Sequence, residues 1–284
     1  MAAFVINDTM MKLVFADLDL FQSIFMRGLM LSLLTGLLVS HRRQFRYRFS
    51  RHDARLMVQR VIGEIGAAVC FLTALYQMPI VNAVAIIQAV PLVLTLAAAL
   101  FLGEQVGWRR YSAIVVGFAG VLIIVRPGAE GFNAYAIWAV VAMLFMVLRD
   151  LSTRKFSQSV PTLFVSFLTA LGTVIFTGAV VLTRDWQPMA AQHYGLLATS
   201  SGFLFIGYLC SIKAMRLGEV AFVSPFRYTI LLWAILLGIL VFDEFPGFWT
   251  LIGAAIVVGM GGYTFYREHR LARRLAVTAK PTAE

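Results

Sequence analysis

Nine stretches of this chain, near residues 20–40, 58–78, 80–102, 111–126, 134–152, 161–183, 194–215, 219–242 and 249–266, are apolar over most of their length. Most approach the roughly 20 residues that an α-helix needs to cross a hydrocarbon layer about 30 Å thick. Lipid cannot hydrogen-bond a backbone, so a crossing segment must be helical or belong to a closed barrel. Continuous apolar runs of this length, without strict alternation, predict helices. Only 13% of the 284 residues are charged and 60% are hydrophobic, whereas soluble domains carry about 25% charged residues. A water-soluble fold of this size cannot hide so much apolar surface. The fold class expected is all-α and integral to a membrane.

Before these runs lies a shorter apolar piece, Met1 to Phe15, which contains Asn7, Asp8 and Lys12 and no basic leader. At 1.5 Å per residue it reaches about 22 Å, short of a full crossing. We read it as the outer part of a first span whose beginning is missing, with a re-entrant or surface segment as the alternative. Counting it, the chain has ten spans.

The charges orient them. With the amino end inside, the inner connections are 41–57, 103–110, 153–160, 216–218 and the tail from 267. Nineteen of the 24 basic residues lie in or flank these connections, including Arg60 and Arg149. Only Arg126 and Arg184 lie in outer ones, while Lys12, Arg27 and Arg227 fall within spans. This positive-inside bias predicts a multi-pass protein of the inner (plasma) membrane with both ends cytoplasmic. The net charge of +10 therefore does not point to nucleic acid. The Arg-rich stretch HRRQFRYRFSRHDAR at 41–55 abuts a span, where contact with anionic lipid explains it. Cys70 and Cys210 lie in apolar spans, and the four histidines lie in polar connections or the tail. Neither set has the spacing of a disulfide framework or a metal site, and no cofactor is expected.

The chain also repeats itself. Ala-Ile-Val-Val-Gly occurs at 113–117 and at 255–259, after Gly103-Glu104 and Asp243-Glu244 respectively. Cys70 and Ala74 match Cys210 and Ala214 at the same 140-residue offset that relates Glu104 to Glu244. Chance likeness between apolar segments is the plain alternative. By the span count the first acidic turn faces inward and the second outward, so the halves run in opposite directions. The expected organisation is a five-span repeat over 1–128 with span one incomplete, an inverted five-span repeat over 129–266, and a basic cytoplasmic tail at 267–284. Inverted repeats produce inward- and outward-facing states around a midplane site, which is the design of a secondary transporter. Small-xxx-small spacing at Ala113/Gly117 and Ala255/Gly259 predicts close packing of the last helix of each half.

The stretches AVPLVLTLAAALFLGEQVGWRRYSAIVVGFAGVLIIVRPG (89–128) and SPFRYTILLWAILLGILVFDEFPGFWTLIGAAIVVGMGGY (224–263) resemble spans four and five and the last two spans of EamA-like proteins in the drug/metabolite transporter superfamily. Asn7-Asp8 with Lys12, then Phe25-Met26-Arg27, resemble the end of that family's first span and the start of its second. The resemblance implies a ten-helix bundle of two inverted five-helix repeats, here with the first helix truncated at its start. It implies transport of a small organic metabolite: amino acids and related compounds, or in some branches riboflavin or S-adenosylmethionine. Arg227 stands before Tyr228, where the family more often has an acidic or neutral residue.

Ionisable groups inside spans are expensive and are functional candidates by default. Arg27 and Arg227 are two. Glu64 lies one turn from Arg60, which fits either a local ion pair or a proton-coupling carboxylate; Asp8 has Lys12 at the same spacing and the same two readings. Gln88 and Tyr228 occupy equivalent positions at the 140 offset, near Pro91 and Pro225, which can kink their helices. Tyr208 adds a polar group in span eight, with Ser200 and Ser201, and Trp138, Phe145 and Trp233 can supply aromatic walls. The expected cargo site is thus Gln88, Arg227, Tyr228, Trp138, Tyr208 and Arg27, with Glu64 and Asp8 as coupling carboxylates and protons as the candidate coupling ion. Such walls with Arg227 suit a flat polar cargo such as a flavin. No Gly-rich phosphate loop, nucleophile elbow or His cluster is present, so an enzyme is not expected. A non-transporting membrane scaffold or sensor is the reading from a different class. Monomer and homodimer are equally compatible with the sequence.

Overall fold

The computed structural model describes residues 1–102, 108–126, 133–157, 159–217 and 228–278, and these are helical almost throughout. In order they form α1 (Ala2–Val14), α2 (Leu20–His41), a short 3₁₀ turn (Gln44–Arg46), α3 (Arg51–Gln77), α4 (Ile80–Ile87) and α5 (Val90–Leu102). Then follow α6 (Trp108–Val125), α7 (Tyr135–Arg154), α8 (Thr162–Val181), α9 (Ala191–Leu217), α10 (Thr229–Phe242) and α11 (Phe248–Thr278). The segments α2, α3, α4–α5, α7 and α8 are long and apolar enough to cross a membrane, and α6, α10 and α11 hold shorter apolar helices. The chain is a multi-pass membrane protein.

Pro91 explains why the run at 80–102 is two helices. Its ring excludes the carbonyl of Ile87 and it has no N–H to give, so α4 stops at Ile87 and α5 restarts at Val90, with Ala89 N–H closing a tight turn on Ile86 O at 3.1 Å. The short amino-terminal piece is a bundle helix and not a surface segment: α1 packs along α9 and touches α10 and α3, with Val5, Met11 and Val14 fully buried. At the other end α11 runs on to Thr278, so much of the expected tail continues the last helix.

The main side-by-side packings are α3 with α7, α2 with α8, α6 with α11 and α1 with α9, and α4 also packs on α10. Leu72, Leu75, Ile80, Ile86, Leu92 and Met143 form the buried centre. The α6–α11 crossing departs from expectation. It closes on Gly120 and Gly253, where a Cβ on Gly253 would lie 2.5 Å from the Gly120 carbonyl. Ala113 and Gly117 are buried as expected, but Ala255 and Gly259 are exposed on the outer side of α11. Several hydroxyls inside the spans are satisfied on their own helix: Thr35, Thr73, Thr169, Thr173 and Thr177 each donate to the carbonyl four residues back, which removes the cost of a bare donor in lipid.

Connections gather on two rims. On one, Lys12 Nζ reaches Glu244 Oε1 at 2.5 Å and Met78 O at 2.9 Å, and Glu244 Oε2 accepts the Ile80 N–H that starts α4 at 2.9 Å. On the same rim Asp19 caps α2 and pairs with Arg184 at 2.9 Å, Gln22 and Gln187 exchange hydrogen bonds, and Asp17 meets His193 at 3.0 Å. On the opposite rim Ser50 caps α3 and Asp53 accepts from Ser157 N–H at 3.1 Å. That contact ties the start of α3 to the α7–α8 connection.

Candidate transport site

Glu64 sits at the midpoint of the 27-residue α3, about 20 Å of helix from either end. Gly63 and Gly66 flank it and bring α7 close. A Cβ at Gly63 would lie 2.8 Å from Arg149 N, and one at Gly66 2.5 Å from the Phe145 ring. That approach sets Arg149 Nη1 at 3.4 Å from Glu64 Oε2, while Tyr208 of α9 donates to Glu64 Oε1 at 2.7 Å. Arg149 Nε also donates to Asp150 Oδ1 at 2.9 Å. The local pair expected between Arg60 and Glu64 does not form as a contact. Arg60 turns instead to Thr153 Oγ1 of α7, and its buried Nε has no hydrogen-bond partner among the described residues.

A second polar group lies where α1 crosses α9. Asn7 Oδ1 accepts from Ser200 at 2.7 Å and from Arg27 at 3.3 Å, Asn7 Nδ2 donates to Asp8 at 2.8 Å, and Ser201 donates to the Arg27 carbonyl at 3.0 Å. Lys12 is not the partner of Asp8, because its amine is engaged at the rim with Glu244 and Met78 O.

Arg27 joins the two groups. With Arg60, Glu64, Tyr208, Thr169 and Thr173 it lines a cavity of about 30 Å³ enclosed by α2, α3, α8 and α9, room for about one water. Thr169 and Thr173 spend their protons on α8 carbonyls, so their oxygens face the cavity as acceptors. The buried polar groups comprise three arginines (Arg27, Arg60, Arg149) and three carboxylates (Asp8, Glu64, Asp150). They balance when all are ionised, so protonating one carboxylate leaves an excess positive charge that an anionic or electron-rich group can answer. Charge and proton occupancy are thereby coupled in a water-poor space, where Coulomb terms are large.

The structure thus brings Arg27, Tyr208 and Glu64 into one cavity, with Asp8 beside it. It does not bring the other candidates there. Trp138 is 43% exposed and borders a separate open pocket. Gln88 is buried at the α4–α5 break, and Tyr228 is buried against α11, where Gly261 leaves room for its ring. Neither lines the cavity. Phe145 packs on Gly66, and Trp233 is 40% exposed on α10. Arg227 and Pro225 lie outside the described residues. Arg60 and Arg149, which the charge count placed with the inner connections, and Asn7 and Asp150, which were not among the candidates, are neighbours of the site. Adjacent opposite charges at the end of an apolar run, Arg149-Asp150, are a signal that could have found those two.

The EamA-like transporter family matches this chain over residues 1–126 and again over 133–261. An S-adenosylmethionine uptake transporter of Rickettsia conorii is 28% identical over 198 residues, 69% of this chain and 66% of that protein, so the match spans just under two thirds of the relative. A riboflavin transporter of Vibrio cholerae is 31% identical over 201 residues, 70% of this chain and 67% of its own length. The pseudopaline exporter CntI of Pseudomonas aeruginosa is 25% identical over 265 residues, 90% of this chain and 89% of its own. A solved crystal structure superposes with a TM-score of 0.67 at 18% identity, covering 95% of this chain and 96% of that one, and so shares the fold. With both halves matched and the polar cavity between them, the chain belongs to the EamA-like transporter family.

Proposed function

We propose that this protein is an inner-membrane secondary transporter that moves a small organic metabolite by alternating access, with Glu64 as the proton-coupling carboxylate and Asp8 as a second. The observation that carries the proposal is the Glu64–Arg149–Tyr208 contact at mid-helix, in which Glu64 and Tyr208 line a cavity together with Arg27 and Arg60, whose Nε has no hydrogen-bond partner among the described residues. Buried charges at membrane depth persist where they serve transport.

In this reading the two halves are inverted repeats, 1–128 and 129–266, followed by a basic tail at 267–284, with both ends cytoplasmic. The helix pairings support it. Exchanging α1, α2, α3, α4–α5 and α6 in order for α7 to α11 converts the α3–α7 packing into α9–α1 and α2–α9 into α8–α3. It converts α1–α10 into α7–α4/α5, and it leaves α2–α8, α6–α11 and α4–α10 as they are. Two halves that can trade environments are what alternating access requires.

Riboflavin is the first cargo to test, since the Vibrio cholerae relative is 31% identical, followed by S-adenosylmethionine and by amino acids moved in either direction. The full chain in liposomes, with a panel of these solutes and with or without a pH gradient, should accumulate one of them in a gradient-dependent way. Glu64→Gln should abolish the gradient dependence. Failure to move any solute on the panel would sink the transport reading, and gradient-driven uptake by Glu64→Gln would sink the coupling role.

A further inference from the structure

A second, larger pocket opens on the rim that carries the α1–α2 and α8–α9 connections. It holds about 540 Å³, within the range of small-molecule sites. Its lining includes Val69, Thr73, Tyr76, Tyr135, Trp138 and the Asp17–Phe21 segment. Three aromatic side chains are therefore presented to one space, each partly uncovered: Tyr76 by 45%, Tyr135 by 38% and Trp138 by 43%. Phe15 braces Tyr76 edge-on at 5.8 Å, which fixes that wall.

The charges of the lining are unequal. Arg184 is already committed to Asp19 at 2.9 Å and lies over the Phe21 ring at 4.7 Å. Asp19 Oδ2 is in turn spent on the first N–H groups of α2. Asp17 differs. Its Oδ2 meets His193 Nε2 at 3.0 Å, and its side chain is otherwise open to solvent, 55% exposed. His193 Nδ1 accepts the Ala190 N–H, which leaves the Nε2 proton for Asp17 and holds the carboxylate in place. The charged residues of the lining are Asp17, Asp19 and Arg184; with Asp19 and Arg184 paired, the charge left over is that of Asp17, which favours cations.

We propose that this pocket binds flat organic onium cations, seated between the Tyr76, Tyr135 and Trp138 rings with Asp17 as counter-ion. Aromatic faces attract cations most when the cation is weakly hydrated, as alkylated nitrogen and sulfur cations are. A compact, strongly hydrated ion loses more in shedding water than the rings return. A neutral flat molecule gains the stacking alone. Binding here is independent of the transport reading, because it takes place at the rim and involves no passage through the cavity at Glu64.

The test is calorimetric, with the full chain in lipid nanodiscs and empty nanodiscs as the blank. The probes are N-methylquinolinium and its uncharged isostere quinoline near neutral pH. The onium should bind at least about tenfold more tightly than quinoline, in line with a desolvated cation–π contact assisted by a carboxylate. Asp17→Asn should cost the onium about tenfold and leave quinoline unchanged, while Asp17→Glu should keep most of the affinity. Trp138→Leu, which leaves the Asp17–His193 contact untouched, should weaken the onium by a similar factor. Equal affinity for both probes, no heat beyond the blank, or full affinity in Asp17→Asn or Trp138→Leu would overturn the proposal. Solute uptake by the same preparations reads the transport function separately.

Discussion

Glu64 is the residue whose surroundings matter most, because it is the carboxylate placed between a guanidinium and a phenol at the centre of a long helix. Its side chain is 13% exposed and that of Arg149 is 18% exposed, so the pair is shielded from solvent. Removing one member of such a pair leaves the other uncompensated, at roughly 3–5 kcal/mol. Asp150 still touches Arg149, so Glu64→Ala should fall near the low end of that range. Arg149→Ala, which takes the guanidinium away from both Glu64 and Asp150, should cost more. Chemical denaturation of the two variants in detergent gives the order directly, and equal stability would show that the contact does not hold the helices together. The sequence marked Glu64 as ionisable within a span, but it offered Arg60 as the partner because that residue is one turn away. Register along a helix identifies neighbours on one helix only. Which residue of another helix comes near depends on how closely the two backbones approach.

At the element scale that approach is decided by glycines. Gly63 and Gly66 let α3 and α7 lie close enough for Arg149 to reach Glu64. Gly63→Ala would put a methyl group 2.8 Å from the Arg149 backbone nitrogen, and overpacking of this kind costs about 1–3 kcal/mol. At Gly202 in α9 an added methyl group would have nothing within 4 Å. Gly202→Ala should therefore be neutral or stabilising by up to about 1 kcal/mol through helix propensity. Thermal unfolding of the two alanine variants checks the contrast, and similar melting temperatures would refute it. The Ala-Ile-Val-Val-Gly copies teach the same lesson from the other side. Identical sequence at 113–117 and 255–259 places its small residues inward on α6 and outward on α11. The contact forms instead where Gly120 meets Gly253. Element boundaries were more legible: the apolar runs, the Pro91 break and the Ser50 cap each carry a local physical cause that the sequence displays.

For the whole molecule, the proposed orientation makes an accessibility prediction. In a Cys210→Ser background, a cysteine at Asp185 on one rim should react with a membrane-impermeant maleimide applied to intact spheroplasts, and a cysteine at Arg48 on the other rim should not. Labelling of Arg48→Cys alone would invert the topology, and labelling of both would refute a sealed two-sided arrangement. Cys70 is buried and serves as the internal blank. That the chain lives in lipid and that it is helical were decided by sequence alone, because hydrophobic length and backbone hydrogen bonding are properties of consecutive residues. Tertiary structure decided which polar groups share a cavity. It placed Arg149 and Tyr208 on Glu64, moved Lys12 to Glu244, and set Trp138 in an outer pocket away from the buried charges. The reason is physical: charges and rings are paired by the crossing of helices far apart in the chain, and crossings are set by packing that no single segment contains.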